Sequence, residues 1–374
     1  MQHDLPSARQ DRADAIRPRL EAAAATLIEV GAIGVAVEIG IPGASTVALA
    51  VGHADLEGMR PLDPAALFPI ASQSKMFTAA SVLLLARQGR LRLDDPVARY
   101  LPDVPAVDSN ATIAQFLNHT SGIGNFITCM SVLPYPWPRF SYDDLMACAR
   151  MHGRQFDAGA RLDYNNTDVV VLARLCEVVS GVPRAEFLAK SIFTPLGMSD
   201  TFIGSTGEWP RERMASGYYL PSQGYEGPPI DLAGVADLTI ASAAGDIISS
   251  LPDLTRWANA LLTPDNPIGL SLADFTPDCA GDGGLSGPWF FPRRYARGVE
   301  AWSWGGRTVW GHRGSFFGYH SGAFVDPVSR ATVSMFFSML TAGSFLRFLD
   351  VQAPDYMGFL QACMTMAVDA VELP

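Results

Sequence analysis

Lysine is almost absent from this chain of 374 residues: only Lys75 and Lys190 are lysine, and every other fixed side-chain cation is arginine. Positive charge in general is scarce. A formal net charge of −11 with a pI near 5.0 argues against nucleic acid or an anionic membrane as a partner. Long apolar runs are missing too: the longest, Met76 to Ala86, is interrupted by Thr78 and Ser81 and is too short to span a bilayer. The cysteines (Cys129, Cys148, Cys176, Cys279 and Cys363) are odd in number and widely spaced, which fits reduced thiols better than a disulfide framework. His53, His152 and His320 lack metal-ligand spacing with cysteines or acids, so neither a metal site nor a cofactor is expected. No Gly-x-Ser-x-Gly elbow, phosphate-binding glycine loop or dinucleotide fingerprint occurs. The first nineteen residues are polar and mixed in charge, unlike a secretory leader, which makes a soluble cytoplasmic protein the expectation.

What is present is a lysine in an unusual place. Lys75 lies three residues after Ser72 in Ser72-Gln73-Ser74-Lys75 and leads into the apolar run. Arginine stays protonated at any accessible pH, whereas a desolvated lysine amine can act as a base. Three residues apart on a helix, the hydroxyl and the amine share one face. That is the arrangement a serine nucleophile needs from its activator. The competing reading is an ordinary helix start, with serine as cap and lysine in solvent.

With 48% hydrophobic residues the chain can bury a large core, and its length suggests two domains. Ile16, Leu20, Ala24 and Leu27 recur at helical spacing, which predicts an amphipathic helix over 7–30 that Pro18 interrupts. Residues 34–39 and 46–51 read as a strand pair around Pro42-Gly43, and a buried helix runs from Ser72 to about Gly89. Residues 90–235 alternate helical segments with loops rich in proline and glycine. From Tyr295 onward, 295–302, 308–313, 321–325 and 332–338 read as strands, followed by a helix over 357–371. The loop-like stretches 204–232 and 276–292 are placed near a site mouth.

Two further segments complete a constellation with Ser72 and Lys75. Tyr164-Asn165-Asn166 precedes a helical run over 167–179, where the local dipole would favour a phenolate. The plainer alternative has Asn166 capping that helix over a packed Tyr164. Gly311-His312-Arg313-Gly314-Ser315 ends a strand that can offer a backbone N–H to an oxyanion; paired with the N–H of Ser72 it would make a two-donor hole.

Together and in this order, these pieces resemble the serine β-lactamase and DD-peptidase superfamily, in its class C-like branch with D-amino-acid amidases, D-aminopeptidases and carboxylesterases. Residues 67–71, 89–97, 117–123, 195–201 and 244–250 also resemble family segments. The resemblance implies an α/β fold: an antiparallel sheet flanked by N- and C-terminal helices, with an inserted all-α region. The α/β domain would comprise 1–77 and 236–374, the helical domain 78–235, and the active site their junction. It also implies Ser72 as nucleophile, Lys75 as base, Tyr164 as proton shuttle, Asn166 as holder of the lysine amine and a substrate carbonyl, and His312 as modulator of that network. The backbone of Ser315 would complete the oxyanion hole, with Arg313 and Gly314 lining the substrate. Arg313 departs from the family's threonine, which weighs against β-lactam or D-Ala-D-Ala substrates. His119, in Asn118-His119-Thr120-Ser121, is expected to be a structural loop residue. The run Pro134 to Phe140 could line an apolar acyl pocket or form a stiff surface loop.

The function expected is hydrolysis of a small amide or ester through an acyl-serine. Passing the acyl group to an amine or alcohol is the first alternative, and a non-catalytic binding protein on this scaffold the second.

Overall fold

The computed structural model describes residues 5–104, 108–130, 137–206, 208–221, 225–235, 237–281, 294–304, 306–342 and 345–372. Its centre is an antiparallel sheet built from both ends of the chain. The strand order is Val47–Gly52, Ala32–Gly40, Thr332–Ala342, Tyr319–Val325, Arg307–Phe316, Glu300–Trp304 and Arg294–Tyr295.

Period-two alternation sorts the strand side chains onto two faces. Val35, Val37, Ile39, Val309, Phe324, Val333, Met335 and Phe337 point to one face. There they meet Ile16, Leu20, Ala24 and Leu27 of helix Leu5–Glu29 and Leu360, Cys363 and Met364 of helix Phe345–Glu372. Helix Leu5–Glu29 runs through Pro18 without ending. Ala36, Phe316, Tyr319, Ala323 and Phe336 point to the opposite face and join the core around helices Ser74–Arg87 and Leu251–Leu261.

Helix Ser74–Arg87 is buried along nearly its whole length, from Ser74 to Leu85. A helix apolar on all sides needs neighbours on all sides. Helix Asn166–Ser180, the Ser242–Ala244 turn and helix Arg184–Leu188 supply several of them. The span 78–235 departs from the all-helical expectation. Phe202–Ile203 pairs with Ile247–Ser249, and Tyr218–Leu220 runs parallel to the end of strand Thr332–Ala342. These short strands carry too few residues to show an alternating pattern in sequence. Among the described residues, no helix is long and apolar enough to cross a membrane.

Candidate active site

Ser72 stands on a short 3-10 turn, Ala71–Gln73, immediately before helix Ser74–Arg87. Ala71 has φ 48°, a left-handed conformation that costs a residue with a Cβ. The surroundings hold the turn in place. Ile70 N–H donates to Ile247 O at 2.9 Å, Ile247 N–H donates to Ser74 Oγ at 3.1 Å, and Ser321 Oγ donates to Ile70 O at 2.8 Å.

Lys75 is 1% exposed, and its ammonium nitrogen has three partners. Nζ lies 3.0 Å from Ser72 Oγ, 2.8 Å from Asn166 Oδ1 and 2.9 Å from Ala244 O. Burial lowers its pKa to about 7, against a smaller opposing pull from the Glu300 carboxylate. A group so placed exchanges its proton near neutrality.

Asn166 reaches Lys75 because it is not the helix cap. The cap of Asn166–Ser180 is Asn165, whose side chain accepts from Thr167 N–H at 2.8 Å and donates through Nδ2 to Ile123 O at 2.6 Å. The doublet divides the work: the first asparagine satisfies the helix end, the second turns to the lysine.

Tyr164 precedes this cap. Its ring lies 4.9 Å from Lys75 Nζ, and its hydroxyl shares a hydrogen bond with Ser72. Desolvation and then the Glu300 charge push the phenol above its ordinary range. The helix dipole therefore does not make Tyr164 a phenolate here: withdrawal from water outweighs it. The group is a protonated phenol beside a lysine poised near 7.

The strand Arg307–Phe316 brings the third segment. Its pairing with Glu300–Trp304 ends at Gly311↔Glu300, so residues 312–316 lie beyond that register. On the other side, Phe316↔Tyr319 close a two-residue hairpin, which makes them a hydrogen-bonded pair. Alternation then turns the backbone groups of Ser315 and Arg313 away from strand Tyr319–Val325, toward this edge. Gly314 passes so close to the Ser72 turn that an added Cβ would lie 2.0 Å from Ile70 O and 2.4 Å from Ser321 Oγ.

His312 shares the Ser72 face of the sheet with Gly314. It is 1% exposed, its ring is 6.1 Å from that of Tyr164, and Nε2 is 3.0 Å from Tyr295 Oη. Burial, reinforced by the Lys75 charge, holds its pKa well below the usual imidazole value, so it is neutral. Arg313 alternates to the other face. Its Nε donates to Glu300 Oε2 at 3.0 Å, and its guanidinium lies 4.8 Å from the Trp302 ring, which packs against the terminal-helix core. The guanidinium is thus paired internally with a buried carboxylate.

Three contributors were not singled out from the sequence. Tyr295 is fully buried between His119 (4.4 Å between ring centroids), Tyr164 (5.8 Å) and His312 (5.6 Å). Glu300, 2% exposed, accepts from Arg313 and from Trp302 Nε1 at 2.7 Å, with Oε1 3.6 Å from His312 Nδ1. The Ala244 carbonyl fixes Lys75 from a loop that Asp246 anchors by accepting from Arg184 Nη1 at 2.8 and 2.9 Å. An acid buried in a strand edge was the available signal for Glu300; the other two carried none.

His119 lies beneath the site, with Nδ1 3.0 Å from Asp168 Oδ2. Ser121 donates to the same carboxylate. Burial favours the neutral form of both partners, lowering the imidazole and raising the carboxyl. Trp137, 9% exposed, stacks on Phe317 at 4.6 Å and lies 5.6 Å from Tyr219, forming an aromatic wall beside the hairpin after Ser315. Residues 134–136 of that run, and 282–292 of the suggested mouth loop, lie outside the described residues.

A serine and a buried lysine one helical turn apart, with a tyrosine and an asparagine delivered from a second helix start beside a two-faced antiparallel sheet, define a β-lactamase-type scaffold. The chain belongs to the Beta-lactamase family, whose model matches residues 13–348. Penicillin-binding protein 4* of Bacillus subtilis (strain 168) is 36% identical over 157 residues, covering 41% of this chain and 34% of that protein. Penicillin-binding protein 4 of Amycolatopsis lactamdurans is 28% identical over 291 residues, 75% of this chain and 74% of the relative. Against the first two curated relatives the match spans about a third to a half of their length. Among solved structures, the D-amino acid amidase from Ochrobactrum anthropi SV3 complexed with L-phenylalanine amide superimposes with a TM-score of 0.81 at 25% identity, covering 96% of this chain and 99% of that one.

Proposed function

We propose that this protein is a serine amidase that cleaves a small amide through an acyl-enzyme on Ser72. The observation that carries the reading is Lys75 Nζ at 3.0 Å from Ser72 Oγ with its pKa lowered by burial to about 7. At neutral pH a substantial share of Lys75 is the free amine, able to take the serine proton as Oγ attacks the carbonyl carbon.

The N–H groups of Ser72 and Ser315 hold the resulting oxyanion. Tyr164 gives its phenolic proton to the departing nitrogen and recovers one from the Lys75 ammonium, which returns the base to its starting state. Water then attacks the acyl-serine with Lys75 and Tyr164 again taking and passing the proton, and the acid leaves. Asn166 and the Ala244 carbonyl keep the amine aimed, and neutral His312 backs the network without adding charge.

Amino-acid amides are the first substrate class, supported by the full-length likeness to a D-amino acid amidase and by the aromatic wall of Trp137, Phe317 and Tyr219 beside Ser315. A panel of D- and L-amino-acid amides, short nitrophenyl esters and a chromogenic cephalosporin tests this, with intact-mass detection of the adduct on Ser72. The expected result is turnover of amides with an acyl mass trapped on Ser72. Amide turnover that persists in Ser72→Ala, or a protein that never acquires an acyl mass, contradicts the reading.

A further inference from the structure

Two of the widely spaced cysteines meet in the fold. Cys129, on the short helix Ile127–Met130, and Cys148, on helix Tyr142–His152, are both half-buried, and the Cys129 thiol is directed at the Cys148 residue. Cys129 Sγ lies 3.9 Å from Cys148 O and 3.5 Å from Nε2 of His152. His152 is exposed and sits one turn beyond Cys148 on the same helix face. Of the two thiols, Cys129 is the one that faces the His152 imidazole, while burial, followed by the neighbouring Cys129 sulfur, raises Cys148 above the ordinary thiol value.

The pair is wired to the turn that carries Tyr164 and Asn166. Just before Cys129, Phe126 N–H donates to Thr167 Oγ1 at 2.9 Å, and Thr167 Oγ1 donates to Gly124 O at 2.8 Å. Asn165 Nδ2 donates to Ile123 O at 2.6 Å, and Asn125 Nδ2 donates to the Tyr164 carbonyl at 3.5 Å. On the other side, Gly124 packs against the end of the Cys148 helix, where an added Cβ would lie 2.6 Å from Ala149 O and 2.8 Å from His152 Cβ.

We propose that Cys129 and Cys148 form a reversible dithiol–disulfide pair, with His152 accepting the Cys129 proton, whose state is transmitted to the Tyr164–Asn166 turn. With a small disulfide such as oxidised glutathione, the Cys129 thiolate attacks one glutathione sulfur, forming a mixed disulfide and expelling one glutathione thiolate. Cys148 then loses its proton and attacks the Cys129 sulfur, expelling the second glutathione. Two protein thiols are oxidised and one small disulfide is reduced to two thiols, so atoms and electrons balance. The cross-link joins the segment that holds the Tyr164 turn to the Cys148 helix, which stiffens that turn.

The full chain is equilibrated with glutathione buffers of stepped redox ratio, quenched in acid, alkylated and mapped by peptide mass. The expected product is a Cys129–Cys148 cross-linked peptide, reversed by dithiothreitol and formed before Cys279 is modified. Cys148→Ser halts the reaction with glutathione on Cys129, and His152→Gln slows that first step by roughly tenfold. Amide hydrogen exchange over residues 164–168 falls by roughly threefold or more in the oxidised protein. Separate alkylation of both cysteines throughout the series, or mixed disulfides that never close, overturns the pair. A cross-link that leaves exchange at 164–168 unchanged overturns the coupling. Neither readout depends on Ser72 being a nucleophile.

Discussion

Asn166 lies one residue past the cap of its own helix, and this offset lets its Oδ1 accept from Lys75 Nζ at 2.8 Å. The two side chains come from helices that approach each other deep in the core. The contact therefore fixes the lysine amine in space and also sets its electrostatics, because an amide oxygen stabilises a proton less than a carboxylate would.

Asn166→Asp is expected to raise the Lys75 pKa above about 7. Acylation of Ser72, followed by rapid-mixing mass spectrometry across a pH series, should shift its rising limb upward by roughly 1–2 units. A limb that stays in place would show that Asn166 does not govern the amine.

Lys75 should also leave a mark on stability, and the sign follows from its lowered pKa. The unfolded side chain titrates near ~10.4, the folded one at about 7. Between these values the unfolded chain holds a proton that the folded chain lacks, so this residue's contribution to stability rises with pH through that window. Below it, the folded state bears a buried charge. The melting-temperature difference between wild type and Lys75→Met is therefore flat at acid pH and moves in favour of wild type from about 7 to about 10. A difference independent of pH contradicts the assignment.

Gly314→Ala would set a Cβ 2.0 Å from the Ile70 carbonyl, which cannot yield without moving the Ser72 turn. A loss of roughly 2–4 kcal/mol in urea unfolding is expected, together with slower labelling of Ser72 by a serine-directed phosphonate. An alanine variant with unchanged midpoint and labelling would mean the strand does not press on the turn.

The sequence made this site partly legible, and the division has a physical basis. Ser72 and Lys75 are neighbours on one helix, so spacing alone places them together, and the scarcity of lysine marks the pair. Tyr164 and His312 were recognisable from their motifs, but their protonation was not. The phenol's rise depends on burial and then on the charge of Glu300, which lies in a distant strand. The plainer sequence reading had Asn166 as the helix cap; the cap is Asn165, whose side chain is held by hydrogen bonds to Thr167 N–H and to the distant Ile123 carbonyl. Arg313 was expected to line the substrate. Strand alternation carries it to Glu300 and Trp302 instead, and that direction depends on a register that no local pattern encodes. Tyr295 and the Ala244 carbonyl act through contacts between segments far apart in the chain, and a backbone oxygen has no residue type to betray it. The strands 202–203 and 218–220 escaped for the same reason: each exists only because a longer strand lies beside it.

The most direct test of the central claim is the pH dependence of Ser72 acylation, measured as the first-order rate of adduct formation in wild type and in Lys75→Arg. Wild type should show a rate that climbs through a single pKa near 7 and then levels. Lys75→Arg, which keeps the charge but cannot give up its proton, should fall by roughly 10³-fold or more and lose that limb. A variant that acylates at a comparable rate with the same limb would show that the amine of Lys75 is not the base.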